Sequence, residues 1–311
     1  MISFLAKRIL LFIPTLLGIT LITFFLMQAV PGDPVQGMVG ERASPEAIAR
    51  IRAEIGADRP IALQYLGYLR LLLHGELGRS HYTNRKVADD LLEKFPNTLK
   101  LALAAVLFAS VFGISLGIVS ATWRGTAWDR AAAIVSVGGI SIPVFWLGLT
   151  LMLVFGLWLR WLPPSGTGSG DPAYLILPAV TLGTFSLAYI ARVTRSSLLE
   201  SLSQPYVTTA RAKGLSERMV VLKHAFRNSL IPVVTLVGLD LGSYLNGAVL
   251  TETIFGWDGL GRYALDGILK RDYPVIMGVV LVGAAAFVLM NLLVDLSYHF
   301  LDPRVRSEGR S

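Results

Sequence analysis

The residue types that carry enzyme chemistry are sparse in this 311-residue sequence. It has no cysteine, which excludes a disulfide framework, a thiolate zinc site and a cysteine nucleophile. The four histidines are scattered without metal-ligand spacing. No Ser/His/Asp set or carboxylate pair can be assigned, and no G-x-x-x-x-G-K-[ST] motif occurs. The sequence therefore predicts no catalytic residue, no metal site, no bound cofactor and no ATPase activity of its own.

Composition points to a membrane protein. Hydrophobic residues make up 53% and charged residues 16% of the chain, and the mean hydropathy is +0.59. An ordinary soluble domain carries roughly 25% charged residues. A chain with so little charge cannot cover a water-exposed surface of its size, which argues against a typical cytosolic enzyme.

Six stretches are long and apolar enough to cross a hydrocarbon layer of about 30 Å, which needs about 20 residues. We therefore expect an all-α polytopic membrane protein with six transmembrane helices. The first stretch is too long for the apolar region of a signal peptide, so we expect it to be retained. The six predicted spans are residues 9–29, 98–122, 131–158, 175–191, 230–250 and 275–298.

The basic residues predict the orientation. With the N-terminus inside, the inner segments hold a large excess of Lys and Arg, whereas acidic residues balance the outer segments. Both termini are thus expected in the cytoplasm of a multi-pass inner (cytoplasmic) membrane protein. The net charge of +7 reflects this topology. No basic stripe interleaves with aromatic residues, so we expect no nucleic-acid partner.

The long outer segment, residues 30–97, contains two predicted helices. Ser44 and Pro45 are typical of a helix start, and Gly56 is typical of its end. A second helix is expected over residues 61–74, stopped by Gly75 and either amphipathic or buried against the bundle. Two interpretations remain open at this point: a docking or lid element outside the membrane, or a packed cap over helix ends.

The inner segment from Arg192 to Asn228 is the most informative part of the chain. Ser203 and Pro205 predict a helix start near residue 206, and Gly214 suits the left-handed position that ends a helix. The pattern therefore predicts a helix, a glycine turn and a second helix between spans four and five. Its small residues favour close approach of a cytosolic partner; a solvated surface loop is the alternative.

Polar residues within or beside the spans are candidates for a transport pathway. Asp240 lies near the middle of span five, where a charge is costly and faces a protein interior or a water-filled path. It is a pathway candidate or a buried helix partner. Asn246 and Glu252 belong to an outer gate or cap helix ends. The pairs Gly113/Gly117 and Gly238/Gly242 predict close helix packing.

Five segments in order resemble the dipeptide/oligopeptide/nickel branch of type I ABC importer permeases, and together they span nearly the whole chain. The strongest is the inner segment YVTTARAKGLSERMVVLKHAFRNSLIP, residues 206–232, which is similar to the cytoplasmic signature loop of these permeases. The others are RILLFIPTLLGITLITF with QAVPGDP, FPNTLKLAL, GAVLTETIFGWDGLGRY and NLLVDLSYHFLDPRVR.

The signature loop departs from the general importer pattern in two places. Where that pattern begins Glu-Ala-Ala, this chain has Thr208, Thr209 and Ala210, and its closing Ile-x-Leu-Pro is replaced by residues 224–227 without proline. The glycine of the pattern matches Gly214. The peptide-permease branch commonly shows this variation, so the departures favour that branch.

The resemblance implies a type I importer permease fold and a set of partners. They are a second homologous permease, two cytosolic ATP-binding subunits that hold ATP and Mg²⁺, and an extracytoplasmic binding protein that delivers a peptide. It also implies that a short inner helix seats on the ATP-binding subunits. The matching residues are Ala210, Arg211, Ala212, Lys213, Gly214 and Leu215. Arg211 and Lys213 are expected to pair with acidic groups on the partner, or to be ordinary inner-side charges.

These expectations divide the chain into three parts: the N-terminus and first span (residues 1–29), the outer segment (30–97), and a core permease domain (98–311) with a coupling loop at 192–228. The leading function is the transmembrane subunit of an ATP-driven peptide importer. Nickel or another small solute is an alternative cargo. An ion-coupled secondary transporter is the alternative of another class, although such proteins usually show paired broken helices in two halves.

Overall fold

The computed structural model describes residues 2–29, 35, 44–54 and 56–301. Residues 30–34 and 36–43 of the predicted outer segment, and the basic residues Arg304, Arg306 and Arg310, lie outside the described residues. The described helices are α1 (Ile2–Ala29), α2 (Pro45–Glu54), α3 (Ile61–Leu73), α4 (Val87–Thr122), α5 (Ala127–Ser141), α6 (Val144–Trp158), α7 (Ala173–Leu202), α8 (Pro205–Ala212), α9 (Glu217–Leu245), α10 (Val249–Ile254), α11 (Leu260–Lys270) and α12 (Tyr273–Leu301).

Among the described residues, five helices are long and apolar enough to cross a membrane: α1, α4, α7, α9 and α12. The consecutive helices α5 and α6 together meet the same test but are bent by 103° at the break between them. Taken as one broken span, this pair makes the sixth crossing; taken as a re-entrant loop, it leaves five. The all-α fold is confirmed, with five or six membrane-spanning segments among the described residues.

The third predicted span, residues 131–158, is wrong as a single continuous helix. Ile142 leaves the helical conformation, with φ −80° and ψ 124°, directly before Pro143. A proline disfavours the α conformation in the residue before it and lacks the N–H that would continue the helix. The Ile142–Pro143 pair therefore ends α5, and the axis of α6 points in a different direction.

Two other predicted boundaries differ from the structure. α4 begins at Val87, so the division drawn between residues 97 and 98 falls inside one 36-residue helix. At about 1.5 Å per residue this helix is about 54 Å long, far more than a membrane requires. α9 ends at Leu245, whereas the fifth span was expected to reach residue 250. The predicted helices over α2 and α3 are confirmed, including an N-cap hydrogen bond from Ala47 N–H to Ser44 Oγ.

The centre of the bundle is built on close contact between α4 and α7, which run parallel. A Cβ atom on Gly117 would stand 2.5 Å from Thr194 Cβ, and one on Gly113 would stand 2.7 Å from Leu187 O. Only glycine allows the two backbones this approach. Gly238 and Gly242 of α9 meet Val294 and Phe287 of α12 in the same way. The predicted packing role of both glycine pairs is confirmed.

Candidate functional site

The chain between α7 and α9 forms a helix, a tight turn and the start of the next helix; we call residues 203–216 the turn segment. α8 begins at Pro205, where a residue without an N–H costs nothing because the first helical N–H groups have no partner. After α8, Gly214 takes φ +75°, and Leu215 N–H donates to Ala210 O. Ser216 is extended and precedes α9. The predicted helix, glycine turn and helix are confirmed.

One side of α8 anchors the turn segment in an apolar cluster. Val207 is fully buried and Ala210 is 7% exposed. Leu215 packs against the same cluster. The other members come from α4, α7 and α9: Ala121, Leu198, Val220, Val221 and Ala225. Because a packed interior is nearly incompressible, a displacement of α8 reaches three long helices at once.

The other side of the turn segment faces outward. Arg211, Ala212, Lys213 and Gly214 are all exposed. Arg211 donates from Nε and Nη2 to the two carboxylate oxygens of Glu217, at 3.1 and 2.6 Å, and these hydrogen bonds hold the pKa of Arg211 above its ordinary value. The partner of Arg211 in this structure therefore belongs to the same chain. Within the described residues, no carboxylate lies in ion-pair range of Lys213.

The backbone conformation at position 214, and not the space around it, calls for glycine. A Cβ atom added there would meet no atom within 4 Å. Its positive φ, however, is a conformation that β-branched residues adopt only with strain. The turn therefore needs glycine, or a residue that tolerates the left-handed region, while the space around it stays open.

An ion pair that no local sequence pattern indicates joins α7 to the first turn of α5. Arg195 donates from Nε and Nη2 to the two oxygens of Asp129, each at 3.0 Å. Ser120 Oγ and Gly125 N–H donate to the same carboxylate at 2.5 and 2.9 Å. Sequence alone counted Arg195 and Asp129 only as inner-side charges. Arg195 lies on α7, the helix that leads directly into the turn segment, so the ion pair links this helix to α5.

Asp240 lies half-buried on α9, close to the Ser186 side chain of α7. Ser186 Oγ is hydrogen-bonded to the Tyr244 hydroxyl, which lies one turn further along α9. The three side chains form a polar group between two membrane-spanning helices. A buried helix partner and a pathway residue both fit such a group, so the pathway role of Asp240 stays a prediction.

Asn246, the second predicted pathway residue, stands at the end of α9. Its side-chain amide donates to Gly242 O at 3.2 Å, within the last turn of the helix. Its backbone N–H donates to Ser243 O. These bonds occupy groups at a helix end that have no partner within the helix. The capping alternative therefore accounts for Asn246, and its part in a pathway is a prediction.

The most completely buried acidic side chain among the described residues is Glu252 of α10, at the far end of α4 from the turn segment. Its Oε2 accepts from Arg262 N–H at 2.9 Å, and its Oε1 accepts from the Thr98 hydroxyl at 2.8 Å. Thr98 Oγ1 in turn accepts from Leu260 N–H. A carboxylate at the first N–H groups of α11 caps that helix and complements its dipole.

Further polar contacts surround this carboxylate. Lys94 Nζ lies 2.6 Å from Asp258 Oδ1, and Trp257 Nε1 donates to Asn97 O at 3.0 Å. Burial raises the pKa of the Glu252 carboxyl above its usual range, although its hydrogen bonds oppose the shift. We call this group the Glu252 cluster; its members are Lys94, Asn97, Thr98, Glu252, Trp257, Asp258 and Leu260.

The described residues connect the two ends of the bundle through long helices. Within them, no group of three or more His, Asp or Glu side chains is placed to hold a metal ion. The turn segment joins an exposed surface to three long helices, and the Glu252 cluster joins α4, α10 and α11. Helix α4 contributes residues to both regions.

Two family models cover most of the chain. The model described as "Binding-protein-dependent transport system inner membrane component" matches residues 113–307. The model for the N-terminal part of such membrane components matches residues 1–102. The turn segment and the Glu252 cluster residues from α10 and α11 lie within the first match, and α1 to α3 lie within the second.

Among the most similar curated relatives is the di/tripeptide transport system permease protein DppB of Pseudomonas aeruginosa, 45% identical over 99% of this chain and 100% of the relative. The dipeptide transport system permease protein DppB of Escherichia coli K12 is 42% identical over 98% and 99% of the two chains. The glutathione transport system permease protein GsiC of Salmonella choleraesuis is 41% identical over 98% and 99%.

Solved structures share the fold. The MetNI methionine ABC transporter in an inward-facing conformation is similar with a TM-score of 0.58 and 18% identity, covering 68% of this chain and 96% of that one. A crystal structure of an amino acid ABC transporter with histidines is similar with a TM-score of 0.53 and 16% identity, covering 68% and 94%. At these identities the similarity concerns the fold alone.

Proposed function

Because this chain belongs to the family of inner membrane components of binding-protein-dependent transport systems, we propose that it is the transmembrane subunit of an ATP-driven peptide importer. Di/tripeptides, dipeptides and glutathione appear in the names of the relatives, and all three are peptides. This agreement favours a peptide cargo over nickel or another small solute. The full-length match to permease subunits favours an importer subunit over an ion-coupled secondary transporter.

We further propose the partners that such a subunit needs. A second, homologous permease completes the pathway, two ATP-binding subunits hold ATP and Mg²⁺, and an extracytoplasmic binding protein delivers the peptide. The chain itself carries no phosphate-binding loop, so nucleotide chemistry belongs to the ATP-binding subunits. The excess of Arg and Lys around the turn segment favours placing that segment, and both termini, on the cytoplasmic side.

The observation that carries the coupling role is the two-sided construction of the turn segment. Ala212, Lys213 and Gly214 offer an exposed surface to an ATP-binding subunit, while Val207 and Ala210 bury the opposite side among α4, α7 and α9. When the ATP-binding subunits close, they prefer one position of this surface, and that preference shifts the bundle between its two conformations. Leu215 packs at the edge of the apolar cluster, and the ion pair between Arg211 and Glu217 stabilises the turn.

Reconstitution tests the proposal directly. Vesicles would contain this chain, its sister permease and the ATP-binding subunits, with the binding protein and a radiolabelled dipeptide outside. We expect uptake only with ATP and only with every subunit present. Uptake by the permeases without ATP-binding subunits, driven by a proton or sodium gradient, would refute the proposal in favour of secondary transport.

Replacing Gly214 tests the coupling role of the turn segment. Gly214→Val forces a β-branched residue to φ +75°, so we expect the turn to rearrange and ATP-dependent uptake to be lost while the chain still inserts. Gly214→Asn is the matched control, because asparagine tolerates the left-handed region. We expect the Asn variant to retain most uptake. Equal uptake by the two variants would contradict the assigned role.

Asp240 is proposed to line the peptide pathway. Asp240→Asn keeps the shape of the side chain beside Ser186 but removes its charge. We expect a change in relative uptake rates between a peptide with a free amino terminus and an N-acetylated one. Ser186→Ala is the control, since it removes the neighbouring hydroxyl and keeps the charge. If Asp240→Asn transports both peptides like the wild type, Asp240 has a packing role only.

A further inference from the structure

Helix α3 has several polar side chains on its inner face and several leucines on its outer face. Gln64, Tyr65 and Tyr68 are half-buried, and Leu69 and Leu72 lie on the same inner face. Leu66 and Leu73, on the opposite face, are 58% and 87% exposed. A helix between a protein core and water keeps its exposed face polar. The outer face of α3 is therefore suited to an apolar environment.

The contacts of α3 with α1 fix how deep it lies. The Tyr65 hydroxyl is 3.1 Å from the hydroxyl of Thr20, and the Tyr65 ring packs on Phe24 with centroids 5.3 Å apart. Thr20 lies in the middle of the apolar span Leu10–Ala29 of α1. From Met27, near the end of that span, to Thr20 is about 10 Å along the helix. The Tyr65 side chain therefore enters the depth of the hydrocarbon layer.

Both ends of α3, in contrast, lie at the rim of the bundle. Near its start, Gln64 accepts a hydrogen bond from the amide of Gln28, at the end of α1. After its end, Gly78 lies next to Pro274 at the start of α12. The Tyr273 hydroxyl donates to Met27 O, which places the start of α12 level with the end of α1. Both ends of α3 therefore lie near the same rim of the bundle, as expected for a helix that runs along a membrane surface.

The length of α3 agrees with this position. Its 13 residues extend about 20 Å, too short to cross a layer of about 30 Å. Helix α2, its neighbour in the chain, has a different composition: PEAIARIRAE is mostly charged or small, and none of its residues is buried. Two adjacent helices of the same outer segment are therefore built for different surroundings.

We propose that α3 is an interfacial helix whose Leu63, Leu66 and Leu73 face is immersed in the acyl chains of the membrane leaflet at the Glu252 end of the bundle. Interfacial helices bury their apolar face about 5–10 Å into the boundary between headgroups and acyl chains. The depth of Tyr65 agrees with this range. Arg70, exposed on the same face, extends its aliphatic stem along the lipid and reaches the phosphates with its guanidinium.

The absence of cysteine from the chain makes this proposal directly measurable. Leu66→Cys would carry a nitroxide spin label in the full chain, assembled with its partner subunits in phospholipid vesicles. Collision rates with oxygen, which concentrates in lipid, are compared with those of a water-soluble nickel chelate. Arg50→Cys on α2 is the water control, and Ile22→Cys on α1 is the lipid control.

We expect the label at residue 66 to collide with oxygen more than with the nickel chelate, as at residue 22, and the ratio to reverse at residue 50. Leu73→Cys provides a second reading on the same face if the first variant assembles poorly. A nickel-accessible label at both leucine positions would place this face in water and overturn the proposal. A label that neither reagent reaches would show that a protein subunit covers the face, and would overturn it as well.

Discussion

The turn segment and the Glu252 cluster both position a short helix at an end of the bundle, but they do so by different kinds of contact. Val207 and Ala210 hold α8 by apolar packing alone, and the polar groups of the segment point outward. The Glu252 cluster turns its polar groups inward, and Glu252 is fully buried beneath the N–H groups of α11. The turn segment carries its polar side chains on the surface, whereas the Glu252 cluster buries a carboxylate among internal hydrogen bonds.

This difference indicates different mechanical roles. Apolar packing is non-directional, so α8 can shift against its neighbours without leaving a buried polar group unsatisfied. A buried carboxylate with several donors tolerates no such shift, because each lost hydrogen bond costs about 1–3 kcal/mol. We therefore expect the turn segment to move as a lever and the Glu252 cluster to act as a rigid joint between α4, α10 and α11.

The largest effect should come from removing the buried carboxylate. Glu252→Ala leaves Arg262 N–H and the Thr98 hydroxyl without their partner, so we expect a loss of about 3 kcal/mol in the free energy of unfolding. Denaturant unfolding in detergent measures it. Glu54→Ala on α2 is the control, since Glu54 is exposed and its ion pair among the described residues is with the neighbouring Arg50. If Glu252→Ala were as stable as this control, the Glu252 cluster would not be the rigid joint that distinguishes it from the turn segment.

A smaller effect concerns pH. Burial raises the pKa of Glu252 in the folded protein, so the folded state binds a proton more tightly than the unfolded chain does. The resulting stability is present below the ordinary glutamate pKa and is lost as pH rises through the raised value. Each unit of difference between the two pKa values corresponds to about 1.4 kcal/mol.

Glu252→Gln should flatten this part of the profile because glutamine does not titrate. Melting temperature measured against pH for the wild type and the Gln variant gives the comparison. Parallel profiles above the ordinary glutamate pKa would show that Glu252 does not titrate with folding. The same measurement on Glu217→Gln is the control at the other end, where the carboxylate is exposed.

The smallest effect is expected at the surface of the turn segment. Arg211 and Glu217 form an exposed ion pair, and such pairs contribute less than about 1 kcal/mol to stability. A double-mutant cycle with Arg211→Ala and Glu217→Ala should therefore give a small coupling energy that falls further with added salt. A coupling of several kcal/mol would mean that this end, too, is held by internal polar bonds.

Much of the fold could be predicted because the length of an apolar stretch and the position of a glycine can be taken from a short piece of sequence. The spans at α1, α4, α7, α9 and α12 follow from the cost of exposing apolar residues to water. Gly214 was expected in a left-handed turn and adopts it. The helix–turn–helix was predicted for the same reason: a proline start and a glycine end restrict the backbone whatever surrounds them.

The contacts that cross the bundle were not predictable from one sequence. Nothing in the spacing of Asp129 and Arg195 indicates that they meet, because their pairing depends on how α5 packs on α7. Arg211 was expected to pair with a partner subunit or to be an ordinary inner-side charge, yet the turn brings Glu217 of the same chain within reach. Pro143 is different, because a proline in the middle of a long apolar stretch is a local indication of a break. The prediction of a continuous third span did not take this proline into account.

The sequence by itself determined the membrane-spanning class, the family resemblance and the glycine turn, because these depend on composition and on backbone restrictions that act over a few residues. The tertiary structure alone decided that Glu252 caps α11, that Asp129 holds Arg195, and that α3 lies against α1 with Leu66 and Leu73 outward. The last two features join residues far apart in the chain. Their energies depend on burial and on distances between side chains, which exist only once the helices have packed.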